Sequence, residues 1–140
     1  MKRPPDLIIG EPDAPYLRRW HILPRNRWVN IYVHQFLKSD DARALHDHSY
    51  LNASVILCGV YKEYFAGGRY RFRFPGNIIL RRPSTPHRVE LLFDIPVWTL
   101  FVTGPRVREW GFHCPSGWRH WREFTDTSEG RSTIGRGCDG

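Results

Sequence analysis

Short runs of β-branched and aromatic residues recur along most of the chain, and clusters of turn-forming residues separate them. No stretch shows sustained helical periodicity, and no internal repeat is visible. Strands that recur about every eight to ten residues, with turns between them, predict an antiparallel barrel or sandwich and therefore an all-β fold. The predicted strands are residues 16–23, 28–37, 50–58, 61–65, 69–74, 77–82, 87–92, 97–103 and 107–113.

The chain is expected to fold as a single domain. Its 140 residues, of which 41% are hydrophobic and 14% aromatic, are enough to bury a core. Residues 1–15 are expected to form an N-terminal arm, residues 16–124 the barrel, and residues 125–140 a flexible tail rich in Gly, Ser and Arg. Residues 110–124 contain three tryptophans and are expected to close one end of the barrel or to mediate self-association.

Residues 69–74 alternate strictly between arginine and aromatic side chains. Successive side chains of a strand point to opposite faces, so this pattern predicts a buried aromatic face and a solvated arginine face. A nucleic-acid surface with interleaved bases and charges is not favoured, because the aromatic and basic side chains would lie on opposite faces. Gly67 and Gly68 predict a tight hairpin turn before this strand, since primed turns require positive φ.

Two histidines, His46 and His48, follow the polar loop 38–44 and are separated by one residue. In an extended strand both point to the same face, and Asn52 shares their parity. His87 begins a later strand directly after a corner of Pro, Ser and Thr, so three imidazoles from two strands can converge. The pattern predicts a metal site with His46, His48 and His87 as ligands. Asn52 is either a weak oxygen ligand or a group that orients an imidazole.

The remaining histidines are interpreted as structural residues, because a lone histidine in a strand usually satisfies a local hydrogen bond. They are His21, His34, His113 and His120.

The spacing around the first histidine pair resembles a motif of the cupin superfamily. The run His46-x-His48-x3-Asn52-x6-Gly59 is similar to the family's first motif, in which H-x-H is followed after three or four residues by Glu and six residues later by Gly. Asn52 stands where the family usually has Glu.

A second motif of the same family has the pattern G-x5-P-x-G-x2-H. The run Gly76-x5-Arg82-x-Ser84-x2-His87 is similar to it, with Arg82 and Ser84 in place of Pro and Gly. The resemblance covers about residues 28–113 and implies a cupin-like jelly-roll barrel of antiparallel strands.

This resemblance also implies a function, namely that of a mononuclear non-haem iron dioxygenase, because several cupin oxygenases hold iron with three histidines and no carboxylate. Three neutral ligands leave a divalent ion its full charge, which favours a small anionic, chelating substrate of the thiol or enediol type. Fe(II) is the expected metal, and Zn, Ni and Mn are the alternatives. Arg82 or Arg106 would pair with a substrate carboxylate, Asn52 would orient a ligand or a bound water, and Tyr50 would provide a hydroxyl in the pocket.

Two other classes of function remain open. A metal-independent cupin isomerase or epimerase would use a histidine as general base, but Asp47 faces away from His46 and His48 and cannot be its carboxylate partner. A non-enzymatic module would bind a small ligand, a protein or a nucleic acid through its arginines. The net charge of +7 is carried almost entirely by arginine, which suits carboxylates and phosphates, but charge alone does not choose between these partners.

Three widely spaced cysteines, Cys58, Cys114 and Cys138, predict no disulfide framework. Cys58 is interpreted as a core residue. Cys114 together with His113 and His120 could form a second metal site, although no Cys-x2-Cys pair supports it.

The expected location is the cytoplasm, because no stretch has the apolar length of a membrane span and the N-terminus lacks the apolar core of a signal peptide. No membrane partner is expected. Residues 28–37 and 50–58 are apolar on both faces of their strands, which predicts a homodimer.

Overall fold

A computed structural model describes residues 2–40, 44–126, 133–134 and 137–138. In chain order the strands are β1 (Leu7–Glu11), β2 (Ala14–His21), β3 (Asn30–Phe36), β4 (Leu45–His46), β5 (Asn52–Cys58), β6 (Tyr61–Phe65), β7 (Tyr70–Arg73), β8 (Ile78–Arg81), β9 (His87–Leu91), β10 (Val97–Thr103), β11 (Gly111–Cys114), β12 (Gly117–His120), β13 (Thr125–Asp126) and β14 (Thr133–Ile134). One short helix, α1 (Trp121–Phe124), and two 3₁₀ turns, Ala66–Gly68 and Leu92–Asp94, complete the described elements.

The strands form two six-stranded sheets and one short ribbon. The first sheet has the order β1-β2-β3-β10-β5-β8, the second has the order β12-β11-β4-β9-β6-β7, and β13 pairs with β14. Every pairing is antiparallel. The all-β, jelly-roll prediction is therefore confirmed, and most predicted strands lie within a few residues of the observed ones. No helix in the described part of the chain is long and apolar enough to span a membrane.

The main core lies between the two large sheets. Its buried residues are Ile56, Ile79 and Val97 from the first sheet, and Tyr61, Val89 and Leu91 from the second. Alternation along these strands places the intervening side chains on the outside. Gly59, in the turn from β5 to β6, has φ +87°, and a Cβ there would lie 2.8 Å from the carbonyl oxygen of Pro96. This explains why glycine occupies that position.

A second cluster closes one end of the barrel around Phe112 and Phe124, whose rings stack. Trp110 and Trp121 pack against it and stack on each other with centroids 5.7 Å apart. This part of the chain holds β11, β12 and α1 against β4, the strand that carries the first histidine.

The N-terminal segment contains more regular structure than the arm predicted for residues 1–15. Residues 7–11 form β1, the edge strand of the first sheet, and pair with β2. The apolar run Leu7-Ile8-Ile9 provides this strand, and Gly10 (φ +111°) carries the bulge where the register shifts.

The interpretation of the cysteines is wrong in two respects. Cys114 and Cys138 form a disulfide, which removes Cys114 from the suggested second metal site, and Cys58 is exposed at the end of β5. The barrel end brings β11 and residues 137–138 together, and sequence spacing does not reveal that proximity. The greater part of the predicted tail after residue 126 lies outside the described residues.

The prediction for the two faces of residues 69–74 is also wrong. Tyr70, Phe72 and Phe74 are exposed, whereas Arg73 points inward and its Nε lies 2.8 Å from Oε1 of Glu63. Because β7 is an edge strand, its aromatic face has no neighbouring layer. The fully buried carboxylate of Glu63 holds Arg73 on the inner side, whereas Arg69 and Arg71 are exposed.

Candidate metal centre

The three histidines singled out by the sequence meet on the inner side of the second sheet. His46 lies directly opposite His87 in the pairing of β4 with β9, and the backbone N–H of His48 donates to the carbonyl of Pro83 at 3.0 Å. One nitrogen from each ring lies within 4.8 Å of the other two. The ring centroids are 4.7 to 5.3 Å apart. A register between two strands therefore sets the spacing of the cluster.

Burial keeps two of these rings neutral. It lowers the pKa of His46 to about 4 and lowers the pKa of His48 well below its usual value, because a charged imidazole is poorly solvated there. A neutral imidazole has a free lone pair, which is the form that coordinates metal ions. At neutral pH His46 and His48 can therefore coordinate a metal ion without first losing a proton.

Two ring nitrogens of the cluster are buried without a hydrogen-bond partner among the described residues, Nδ1 of His48 and Nε2 of His87. Buried polar atoms are rarely left unpaired, so such atoms need an explanation, and a bound ion is one of the usual ones. Three imidazoles suit Fe, Zn, Cu, Ni or Co. The residues present therefore fit a divalent transition-metal ion.

Glu63, on β6, fixes the orientation of His87. Nδ1 of His87 lies 2.7 Å from Oε2 of Glu63, and Nε of Arg81 donates to the same oxygen at 2.6 Å. Burial raises the pKa of Glu63, but the contacts with His87 and Arg81 outweigh it and hold that pKa well below its usual range. A carboxylate beside Nδ1 favours the tautomer with the proton on that nitrogen, which would leave Nε2 available as a ligand.

Arg81 compensates the buried charge of Glu63. It also donates to the hydroxyls of Ser54 at 3.0 Å and Tyr61 at 3.1 Å. These partners account for three of its donor nitrogens, and the guanidinium is buried. The network joins β5, β6, β8 and β9 behind the histidines.

A second carboxylate, Asp40, lies beside His46, with Oδ2 3.7 Å from Nδ1. It accepts hydrogen bonds from the hydroxyl of Tyr16 and from the backbone N–H of Val89, at 2.6 Å. Burial, followed by Asp40, raises the pKa of Tyr16 well above its usual value, so this hydroxyl remains protonated. Two of the three histidines therefore have an acidic neighbour.

The histidines line a cavity of about 310 Å³ inside the barrel. On its opposite wall, Nε of Arg19 donates to Nε2 of His34 at 2.9 Å, and the guanidinium carbon lies 4.4 Å from the ring centroid of Tyr32. Burial, followed by the charge of Arg19, lowers the pKa of His34 and keeps it a neutral acceptor. The main lining residues besides the three histidines are Tyr16, Leu17, Arg19, His34, Phe36, Asp40, Tyr50, Arg81 and Phe101.

Comparison with known proteins identifies structures that share the fold of this chain, but no relative by sequence. No family model matches the chain, and no curated protein matches it. A protein with a double-stranded β-helix domain from Klebsiella pneumoniae has a similar structure, with a TM-score of 0.57, 15% identity, and coverage of 74% of this chain and 89% of that one. A cupin superfamily protein from Desulfitobacterium hafniense gives 0.53 at 11% identity, over 75% and 84% of the two chains. The chain has the cupin fold.

The DMSP lyase DddQ from Ruegeria pomeroyi has the same fold, with a TM-score of 0.52 at 17% identity. The match covers 64% of this chain but only 47% of the lyase, so the chain spans about half of that protein's length. At this identity the likeness concerns architecture and not activity.

Only one of the four predicted catalytic residues lines the histidine cavity. Tyr50 does so, with its ring centroid 6.0 Å from that of His48. Asn52 is buried, and its Oδ1 has no partner among the described residues, but it is not part of the cavity wall. Arg82 and Arg106 are exposed, and Arg106 pairs with Glu109 at 2.6 Å.

The cationic residues that do face the cavity are Arg19 and Arg81. Strand alternation in the sequence points to both arginines. Arg19 lies two residues after buried Leu17, and Arg81 lies two residues after buried Ile79, so each shares a strand face with a buried apolar residue. His34, interpreted as structural, is also part of the wall. Glu63 has the parity of buried Tyr61, but a charged residue in a strand is ordinarily expected on the solvent side.

Asp47 faces away from the histidine cluster, as the alternation of the strand predicts. It accepts from the backbone N–H of Gly111 at 2.8 Å and from Nε1 of Trp118 at 3.0 Å. It also lies 3.0 Å from Nε2 of His113. These contacts hold the segment between His46 and His48 against β11 and β12.

Proposed function

We propose that this cupin binds a divalent metal ion, Fe(II) in the first instance, through His46, His48 and His87 and acts as a dioxygenase on a small anionic, chelating substrate. The observation that carries the proposal is the set of three converging imidazoles, one buried and two half-buried, at least two of them neutral and two with an unpaired nitrogen, in a cavity that also contains an arginine. Bound Fe(II) would supply Lewis acidity and redox chemistry toward dioxygen.

The remaining cavity residues would bind and position the substrate. Arg19 is anchored by His34 and Tyr32 and is well placed to pair with a carboxylate through its terminal nitrogens. Burial raises the pKa of Tyr50, so its hydroxyl remains a proton donor next to His48. Phe36, Phe101 and Leu17 provide apolar walls that exclude water and strengthen these polar contacts. A thiol or enediol acid of modest size fits this combination.

A metal-independent isomerase is the second candidate, and one observation favours it. The sequence offered no carboxylate partner for a histidine base, but the structure provides one, since Glu63 lies 2.7 Å from His87. A carboxylate–histidine pair of this kind can act in proton transfer without a metal.

Elemental analysis of protein purified without an affinity tag tests the metal site. We expect about one transition-metal ion per chain in the wild type, and loss of that metal in His48→Ala. His21→Ala, which changes a histidine outside the cavity, should retain it. Equal metal in the wild type and His48→Ala, or no metal in either, would refute the site.

Oxygen consumption then separates the two candidate activities. The reconstituted protein should consume oxygen with a thiol acid or an enediol acid, and a chelator should abolish this consumption. An activity that survives complete removal of the metal would support the isomerase instead.

A further inference from the structure

A groove of about 580 Å³ lies beside the mouth of the histidine cavity and shares Ser49, Tyr50 and Trp110 with it. The loop between β2 and β3, the segment after β10 and the helix α1 form its walls. We call it the Arg–Trp groove after its arginines and tryptophans, which are Arg25, Arg27, Arg106, Arg122, Trp28, Trp110 and Trp121.

The groove is strongly cationic. Arg25, Arg27 and Arg122 are exposed, and within the described part of the chain none of them forms an ion pair with a carboxylate. Arg106 is paired with Glu109. At least three guanidinium groups are therefore free to bind an anion from solution, and their planar donor arrays suit phosphate.

Aromatic faces lie among these charges. Trp28 is 61% exposed, and the guanidinium carbon of Arg27 lies 4.6 Å from its ring centroid. Trp110 and Trp121 stack with an interplanar angle of 3°, and Arg122 lies 5.2 Å from the ring of Trp121. The aromatic and basic side chains therefore line the same groove.

The loop that carries Trp28 is held in place by hydrogen bonds. Oδ1 of Asn26 accepts from the backbone N–H groups of Trp28 and Val29 at 2.8 and 3.0 Å, and its amide donates to the carbonyl of Val29 at 2.7 Å. Oδ1 of Asn30 accepts from the backbone N–H of Asn26 at 3.0 Å, and Nδ2 of Asn30 donates to the carbonyl of Asn26 at 2.7 Å. An exposed tryptophan on a loop fixed in this way is preorganised for contact, which lowers the entropic cost of binding.

We propose that the Arg–Trp groove binds a nucleotide, with the base stacked on Trp28 and the phosphate paired with Arg25, Arg27 or Arg122. An exposed aromatic ring can stack on any nucleobase, and guanidinium groups can bind the phosphate of the same nucleotide. A groove that contains both therefore matches a nucleotide better than a simple inorganic anion. The ligand is either a free nucleotide or a unit of a single-stranded nucleic acid. The proposal does not depend on the metal site.

Fluorescence anisotropy of the full chain with a labelled single-stranded oligonucleotide, with ADP as unlabelled competitor, tests the groove. We expect binding that weakens as salt increases and that falls at least about fivefold in Trp28→Ala. Arg25→Ala/Arg27→Ala should also weaken it. The matched controls, Phe74→Ala and Arg71→Ala, change an exposed aromatic residue and an exposed arginine near β7 and should bind as the wild type does.

The competition identifies the source of the ligand. Displacement by ADP at concentrations comparable to those of the oligonucleotide would indicate a free nucleotide, and weak displacement would indicate a single strand. The proposal is overturned if neither probe binds, if Trp28→Ala binds as tightly as the wild type, or if Arg71→Ala weakens binding as much as Arg25→Ala/Arg27→Ala does. Circular dichroism of each variant establishes that a loss of binding is not a loss of fold.

Discussion

Glu63 is a fully buried carboxylate on which three basic side chains converge, His87, Arg81 and Arg73. An isolated charge in this place would be strongly destabilising, and only its partners make it tolerable. The same contacts fix the ring of His87. Structural stability and the geometry of the histidine cluster therefore depend on one residue.

Replacing Glu63 with Gln should destabilise the fold and weaken metal binding together. Loss of one partner of a buried ion pair typically costs about 3–5 kcal/mol of the free energy of unfolding, and loss of a group that orients a ligand lowers metal affinity about 10- to 100-fold. Urea denaturation and competition with a chelator measure the two effects. Glu90→Gln, on the exposed face of β9, is the control.

A double-mutant cycle gives this prediction a stricter form. The double variant Glu63→Gln/Arg81→Met should lose less free energy of unfolding than the two single variants lose in sum. Each single change leaves the other residue as an unpaired buried charge, and the double change leaves neither. Strict additivity would show that the two residues do not stabilise each other.

The protonation of His46 should make the metal-free protein sensitive to acid. Its pKa is about 4 in the fold, against 6.5 for an ordinary histidine, so between these values the unfolded chain binds a proton that the folded chain does not. The free energy of unfolding should therefore fall as the pH decreases from about 6.5 to about 4, by about 3 kcal/mol for this residue. Urea denaturation of EDTA-treated protein across this range, with His46→Gln as comparison, measures it. An identical pH dependence in both proteins would contradict the assignment.

At the scale of single elements, the order and positions of the strands followed well from the sequence, because alternation and turn residues are local signals. Alternation along β7 separated its two faces but did not determine which one is buried, since that depends on Glu63 in a neighbouring strand. The arginines that face the cavity were likewise not identified correctly from the sequence. The sequence predicts that Arg82 pairs with a substrate carboxylate, whereas the parity of β8 directs Arg81 inward and Arg82 is exposed. The histidine cluster could be predicted because His46 and His87 occupy paired positions on two strands and His48 follows His46 at a spacing of two residues.

The disulfide between Cys114 and Cys138 links β11 to the end of the chain across 24 residues. A bridge that closes a loop of this length stabilises a fold by about 3 kcal/mol, chiefly by restricting the unfolded chain. Cys138→Ser should therefore lower the free energy of unfolding by about this amount in the absence of reductant.

Denaturation with and without dithiothreitol provides the check. The difference between wild type and Cys138→Ser should disappear in reductant, and Cys58→Ser should match the wild type in both conditions. A wild-type protein whose stability is unaffected by reductant would argue against the bridge.

At the scale of the whole molecule, the outer face of the first sheet is apolar. Two rows cross four strands in register, Val33-Leu100-Val55-Ile78 and Ile31-Val102-Ala53-Leu80. Ile78 and Leu80 are 76% and 72% exposed. Four strands about 4.8 Å apart and about seven residues long give a face of roughly 19 by 23 Å. Two copies meeting there would bury on the order of 1,000 Å², near the lower limit for a specific interface.

We therefore expect a homodimer through this face. Leu80→Asp should shift the protein toward the monomer, because it places a charge in the apolar interface. Light scattering coupled to size-exclusion chromatography measures the mass. Val107→Asp changes an exposed apolar residue outside the sheet and should leave the mass unchanged, and a monomeric wild type would rule the interface out.

The strand that carries His46 has only two residues, and it is supported on one side by β9 and on the other by β11. Since β11 is in turn bridged to Cys138, the histidine cavity depends on a residue that lies well downstream of all three histidines in the sequence. Nonsense or frameshift alleles between codons 114 and 138 would thus register as defects of the histidine cluster, although they leave the codons of its three histidines intact.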